Sequence, residues 1–160
     1  MHIEVLRYQN QLDTLFKLNS EIGFNPKVHG EFAKYLCVRT SGYIESSVRH
    51  ILTKFCDRNS SFRVQRRMEK TISRITNCNQ ERILEILGAF DSQWAEDYLY
   101  KIAQREKIKG QIKDSIDSVI DRRHSIAHGG SQGIGMVTVE NYYKQCKIAI
   151  AIINEIVLGD

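Results

Sequence analysis

The decapeptide Asp121–Gly130, DRRHSIAHGG, gathers two arginines and two histidines and ends on paired glycines. Three chemistries compete for it. The first is structural: cationic side chains at a helix C-terminus answer the negative end of the helix dipole, and Gly129 takes the left-handed cap position. That accounts for Arg122, Gly129 and one histidine, but not for so many titratable groups in so short a stretch. The second is a metal site. Asp121, His124 and His128 recur at i, i+3 and i+7 on one helix face, and histidines four apart can share a divalent ion. Arg122 and Arg123 beside them oppose a cation, which argues against a metal. The third is phosphodiester chemistry without a metal. Cleaving RNA through its own 2′-hydroxyl needs a base, an acid and a fixed cation where charge builds on the phosphate. Histidine titrates near neutral pH and serves as acid or base, while arginine stays charged and grips phosphate bidentately.

Arg123 and His128 are five residues apart, an offset of about 140° on an ideal helix. One helix aims both at one atom only if the arginine wraps round or the helix end loosens. A two-fold dimer removes the difficulty by bringing two copies of the motif together across an interface. A second cationic feature lies upstream. RNSSFRVQRRMEKTISR carries Arg58, Arg63, Arg66, Arg67, Lys70 and Arg74 against a single Glu69. On a helix, Arg63, Arg66 or Arg67, Lys70 and Arg74 share one side and form a positive ridge. Such a ridge can track a nucleic-acid backbone by releasing counterions. A solvated helix face is the simpler account, so the ridge gains meaning only beside a catalytic centre.

The chain that must position these residues has 160 residues, enough for one domain spanning 1–160. Apolar residues make up 42% and charged residues 26%, which excludes a disordered chain. The net charge of +4 leans toward an anionic partner, but 23 basic against 19 acidic residues is too even to demand one. The longest purely apolar run is Ile148–Ile153, too short to span a bilayer. The N-terminal MHIEVLRYQN lacks the apolar segment of a signal peptide, so a cytoplasmic protein is expected. Cys37, Cys56, Cys78 and Cys146 form no CxxC pair. They are expected as small core side chains rather than a zinc knuckle or redox centre. No phosphate-cradling glycine loop, GxSxG elbow or cysteine–histidine nucleophile pattern is present, and no cofactor is implied.

One proline and 10 glycines leave few breaks, and apolar residues recur at helical spacing almost throughout. A first helix of roughly 18 residues is expected through Ile3, Leu6, Leu12, Leu15 and Phe16. Ile22–His29, with Gly23 and Asn25-Pro26, reads as a turn. A long second helix runs from Gly30 to Asp57, with Gly42 in its middle letting another element approach closely. A third covers Phe62–Ile75, and a fourth runs from near Asn79 to Gly88. Asp91 caps a fifth. A sixth takes in Ile108, Ile112, Ile116, Val119 and Ile120 and stops at Gly129-Gly130. GGSQGIG forms a flexible loop, and Thr138 caps the last helix. MVTV is the one weak strand signal. Trp94, Tyr98, Tyr142 and Tyr143 stand at helical spacings, as core or interface residues do.

Arg123-His124-Ser125-Ile126-Ala127-His128 matches the R-(polar)-x3-H signature of the HEPN superfamily. The surrounding pattern resembles the RiboL-PSP-HEPN family: YLCVRTSGYIESSVR, RILEILGAFDSQWAED, DSIDSVIDRRHSIAHGG and VTVENYY follow one another in the expected order. The resemblance implies an all-α, up-and-down bundle of about five to seven helices that dimerises through the motif helices. It also implies a metal-independent endoribonuclease leaving 2′,3′-cyclic phosphate and 5′-hydroxyl ends, or else a non-catalytic RNA- or partner-binding module of the same fold. Arg123 would hold the scissile phosphate and His128 would act as base or acid. His124, at the family's polar position, would orient its neighbours, and Arg122 could substitute for Arg123 in register. Ser41 and Glu45, in the family's S-G-x-x-E stretch, would face the same cleft with Glu45 pairing an arginine. A helix-packing serine and a structural salt bridge account for them as well. HEPN proteins that work with a nucleotidyltransferase antitoxin usually carry a tyrosine two residues after the motif histidine; here that position is Gly130. The resemblance further implies a phage-defence or toxin–antitoxin setting, with a cognate inhibitor protein as partner.

Overall fold

Cap residues decide where the helices of this chain begin. The computed structural model describes residues 1–19, 25–130 and 133–159, and among these it has seven α-helices and no strand. They are α1 (Ile3–Leu18), α2 (Pro26–Asn59), α3 (Phe62–Ile72), α4 (Gln80–Phe90), α5 (Ser92–Arg105), α6 (Gln111–Ala127) and α7 (Met136–Leu158). The expected all-α helical bundle is what forms.

Pro26 opens a helix rather than breaking one. It occupies the first position of α2, where its missing N–H is not needed, and the Asn25 side chain accepts from Lys27 N at 3.1 Å and Val28 N at 3.4 Å. The expected turn over Ile22–His29 is therefore helical from Pro26 onward, and residues 22–24 lie outside the described residues. Asp91 behaves as its position predicts, ending α4 and capping α5 by accepting from Gln93 N at 2.9 Å. Ile108 precedes α6 and is 66% exposed. The helix starts only after Gly110, at φ +82°, where the Glu106 carboxylate receives the N–H groups of Gly110 and Ile112 at 2.8 and 2.9 Å. Gly135 rather than Thr138 caps α7, so MVTV is its first turn. Of the loop expected to be flexible, residues 131 and 132 lie outside the described residues. The third helix stops at Ile72, which leaves Arg74 in the turn beyond it.

The core is built on α2, which packs against α1, α3, α6 and α7. α1 runs antiparallel to both α2 and α7. His2 at its start stacks on His50 and hydrogen-bonds Asn154, while Asp13 further along meets Tyr143 and Lys147. Gly42 is where α1 comes closest, since a Cβ there would lie 2.8 Å from the Tyr8 hydroxyl oxygen. Tyr43, Tyr98 and Tyr143 are buried, and their hydroxyls meet Gln9, Gln80 and Asp13 respectively. Trp94 is half-buried, edge-on to Phe55 at 4.8 Å. All four cysteines are buried free thiols. Among the described residues no helix is long and apolar enough to cross a membrane.

Candidate functional site

The C-terminal turn of α6 holds the histidines. His128 is the cap residue, at φ −98° and ψ 18°, so the helix has already loosened where it stands. Gly129 follows at φ +76°, donating its N–H to Ile126 O at 3.2 Å, and Gly130 donates to Ser125 O at 2.9 Å. These two bonds form a Schellman motif, which closes the helix and satisfies carbonyls otherwise left open. His124 and His128, one turn apart, both point into solvent with ring centroids 4.4 Å apart and planes tilted by 56°.

Arg123 points the other way, into the bundle. Its Nη2 donates to Glu45 Oε1 on α2 at 3.2 Å and to Asn77 Oδ1, in the link between α3 and α4, at 2.8 Å. The Glu45 side chain is only 12% exposed, and its other oxygen accepts from Arg49 Nη2 at 3.2 Å. A third donor, the backbone N–H of Asn77, reaches Glu45 Oε1 at 2.8 Å. A carboxylate so withdrawn from water needs cations and N–H groups as partners, and here Arg123, Arg49 and the Asn77 N–H supply them. Its charge is felt next door: burial pushes the Cys78 thiol up to about 12, and Glu45 adds to the effect. Glu45 thus pairs two arginines, Arg49 on its own helix and Arg123 from α6. Among the described residues no hydrogen bond or ion pair joins Arg123 to His124 or His128.

The other expected residues separate. Arg122 is half-buried and its charge acts on Cys37, opposing the burial that pushes that thiol up to about 11. It therefore has different company from Arg123, as consecutive helical residues do. Ser41 is 1% exposed and its hydroxyl has no hydrogen-bond partner, so it lies inside the helix packing and away from the solvent face that carries the histidines. Arg63, Arg66, Arg67 and Lys70 are exposed on α3, a helix that packs on α2. Arg74 is exposed in the link to α4, three residues before Asn77. Among the described residues no three of His, Cys, Asp and Glu gather closely enough to hold a metal, so Asp121, His124 and His128 do not converge on one point.

Asn77 is the site residue that sequence reasoning missed. Its φ of +52° is left-handed, a conformation that asparagine tolerates better than most side chains, and the two asparagines of TNCN were the available signal for a tight turn. Beyond it lies a polar depression of about 360 Å³ lined by Thr76, Asn79, Glu81, Arg82 and Glu85.

No curated protein and no solved structure matches the chain. The sequence pattern of one family does, over residues 3–158, and that span includes the anchored arginine, its glutamate and the exposed histidine pair. On that match the chain belongs to the RiboL-PSP-HEPN family.

Proposed function

We propose that the protein is a metal-independent endoribonuclease acting as a homodimer, cleaving RNA to 2′,3′-cyclic phosphate and 5′-hydroxyl ends. The observation that carries this reading is the division of labour within about a turn and a half of helix: a guanidinium held by Glu45 and Asn77, then solvent-facing imidazoles at His124 and His128. One imidazole takes the proton of the 2′-hydroxyl as its oxygen attacks phosphorus. The P–O5′ bond breaks, and a protonated imidazole returns a proton to the leaving oxygen. Arg123 faces the charge that builds on the non-bridging phosphate oxygens. A second protomer supplies the facing motif, so that an arginine of one copy and a histidine of the other close on one phosphate. The cations of α3 would hold the strand, since the chain runs from Lys70 through Arg74 to Asn77 and so to Arg123. Within this reading the setting is phage defence or a toxin–antitoxin pair, with a cognate inhibitor protein as partner.

The missing link between Arg123 and the histidines within one protomer favours a second reading, a non-catalytic module that binds RNA through the same cations. Incubation of wild type and His128→Ala with total cellular RNA in EDTA, followed by chemical analysis of new ends, separates the two. Cyclic phosphates made by wild type and not by the variant establish the nuclease. Intact RNA together with salt-sensitive RNA binding establishes the module.

A further inference from the structure

We propose that Asn77 is a positioning residue that fixes the guanidinium of Arg123, and so decides which of its nitrogens a phosphate meets. The inference rests on the nuclease reading above and adds a residue to it. Three groups close a ring of hydrogen bonds. Arg123 Nη2 donates to Asn77 Oδ1 at 2.8 Å and to Glu45 Oε1 at 3.2 Å, and the Asn77 N–H donates to that same Glu45 oxygen at 2.8 Å. The left-handed backbone of Asn77 lets its N–H and its side-chain oxygen serve neighbours that are themselves paired. Arg49, on the far oxygen of Glu45, keeps the carboxylate from swinging away.

Both hydrogens of Nη2 are thereby committed to the protein. A guanidinium has five N–H donors, and each of its bidentate edges includes one terminal nitrogen paired with another nitrogen. With Nη2 engaged, Nη1 and Nε remain for substrate, and among the described residues neither has a partner. The bidentate grip expected from sequence thus gives way, in this arrangement, to contacts through Nη1 and Nε. What is gained is direction. A donor held before the substrate arrives needs no reorganisation when phosphate charge develops. Asparagine suits the task because its oxygen accepts without adding charge. One carboxylate between Arg49 and Arg123 leaves the cluster net positive, whereas a second carboxylate would cancel the charge that a phosphate requires.

Two substitutions test this. Asn77→Gly keeps the left-handed backbone and its N–H to Glu45 but removes the side-chain acceptor, while Asn77→Asp keeps the acceptor and adds a negative charge. The first readout is the ¹⁵N–¹H spectrum of the arginine side chains, with Arg123 assigned through Arg123→Lys. Resolved Nη2 signals of Arg123 in wild type and Asn77→Asp, merged by free rotation in a folded Asn77→Gly, support the anchor; unchanged signals in Asn77→Gly overturn it. The second readout is cleavage of an RNA oligonucleotide. In Asn77→Gly, kcat should fall about 10- to 100-fold with KM little changed, as misdirection of a catalytic group does. In Asn77→Asp, KM should rise instead. Equal loss through KM in both variants, or no loss in either, overturns the assignment. Should wild type cleave no RNA at all, the nuclease reading falls by itself and the spectrum still judges the anchor.

Discussion

Glu45 and Arg123 stand 78 residues apart in sequence and meet at 3.2 Å between α2 and α6, where the carboxylate is 12% exposed and also serves Arg49 and the Asn77 N–H. Glu45 is the hub and Arg123 one of its spokes, so the two should not be equally costly to remove. Glu45→Gln leaves two guanidinium groups facing a neutral amide and is expected to lower stability by about 1–3 kcal/mol. Arg123→Ala leaves the carboxylate with two donors and should cost less, about 1 kcal/mol or below. Urea denaturation midpoints of the two variants check the order, and a larger loss in Arg123→Ala would refute it.

Gly42 and Tyr8 make a second coupled pair. Alanine is worth about 1 kcal/mol more than glycine inside a helix, yet a Cβ at position 42 would meet the Tyr8 hydroxyl oxygen at 2.8 Å and the ring carbon behind it only at 3.9 Å. Gly42→Ala in wild type should therefore gain little or nothing. In a Tyr8→Phe background, where the crowding atom is gone, the same change should stabilise by about 1 kcal/mol. Thermal unfolding of the four proteins of this cycle decides it.

Stability should fall at alkaline pH and not at neutral pH. Burial pushes Cys37 from its ordinary 9.0 to about 11 and Cys78 to about 12, and it raises the hydroxyls of Tyr43, Tyr98 and Tyr143 as well. The unfolded chain gives up these protons first, so the stabilisation is complete below pH 9 and is lost as pH climbs from 9 toward 11 and beyond. Each thiol contributes a slope of up to about 1.4 kcal/mol per pH unit in that window. Unfolding free energies measured from pH 7 to 10.5 should be flat and then descend, with a shallower descent in Cys37→Ala.

If α3 holds the RNA strand, its cations act through released counterions. Replacing Arg63, Arg66 and Lys70 by glutamine should weaken binding of a single-stranded RNA. It should also flatten the plot of log affinity against log salt by about 0.7 per removed charge. The three side chains are exposed, so the melting temperature should hardly move. An unchanged salt slope in the triple variant would detach the ridge from RNA.

Local signals were legible and long-range ones were not. Asp91 as a cap, Gly42 as a close approach and the cationic end of α6 could be read directly because each depends on a few neighbouring residues. Pro26 and Ile108 misled in opposite directions. A proline in a glycine- and asparagine-rich stretch looks like a break until its place at the first helical position is known. An isoleucine in phase with α6 looks helical until Gly110 and Glu106 set the start three residues later. Asn77 could not have been found at all from spacing. Its role exists only because the α3–α4 link folds back on α2 and α6, bringing positions 45, 77 and 123 together. Arg122 and Ser41 stand apart from this cluster for the converse reason, since their helical phases turn them toward packing neighbours.

Position 130 is closed to side chains by Ser125, through its hydroxyl and its backbone carbonyl alike. A Cβ there would lie 2.2 Å from Ser125 Oγ and 2.9 Å from the Ser125 carbonyl oxygen, the very carbonyl that receives the Gly130 N–H. A tyrosine at this place, which the HEPN resemblance would tie to nucleotide transfer, is not accommodated by one substitution alone. Ser125 would have to change and the closing turn of α6 would have to be rebuilt around the newcomer.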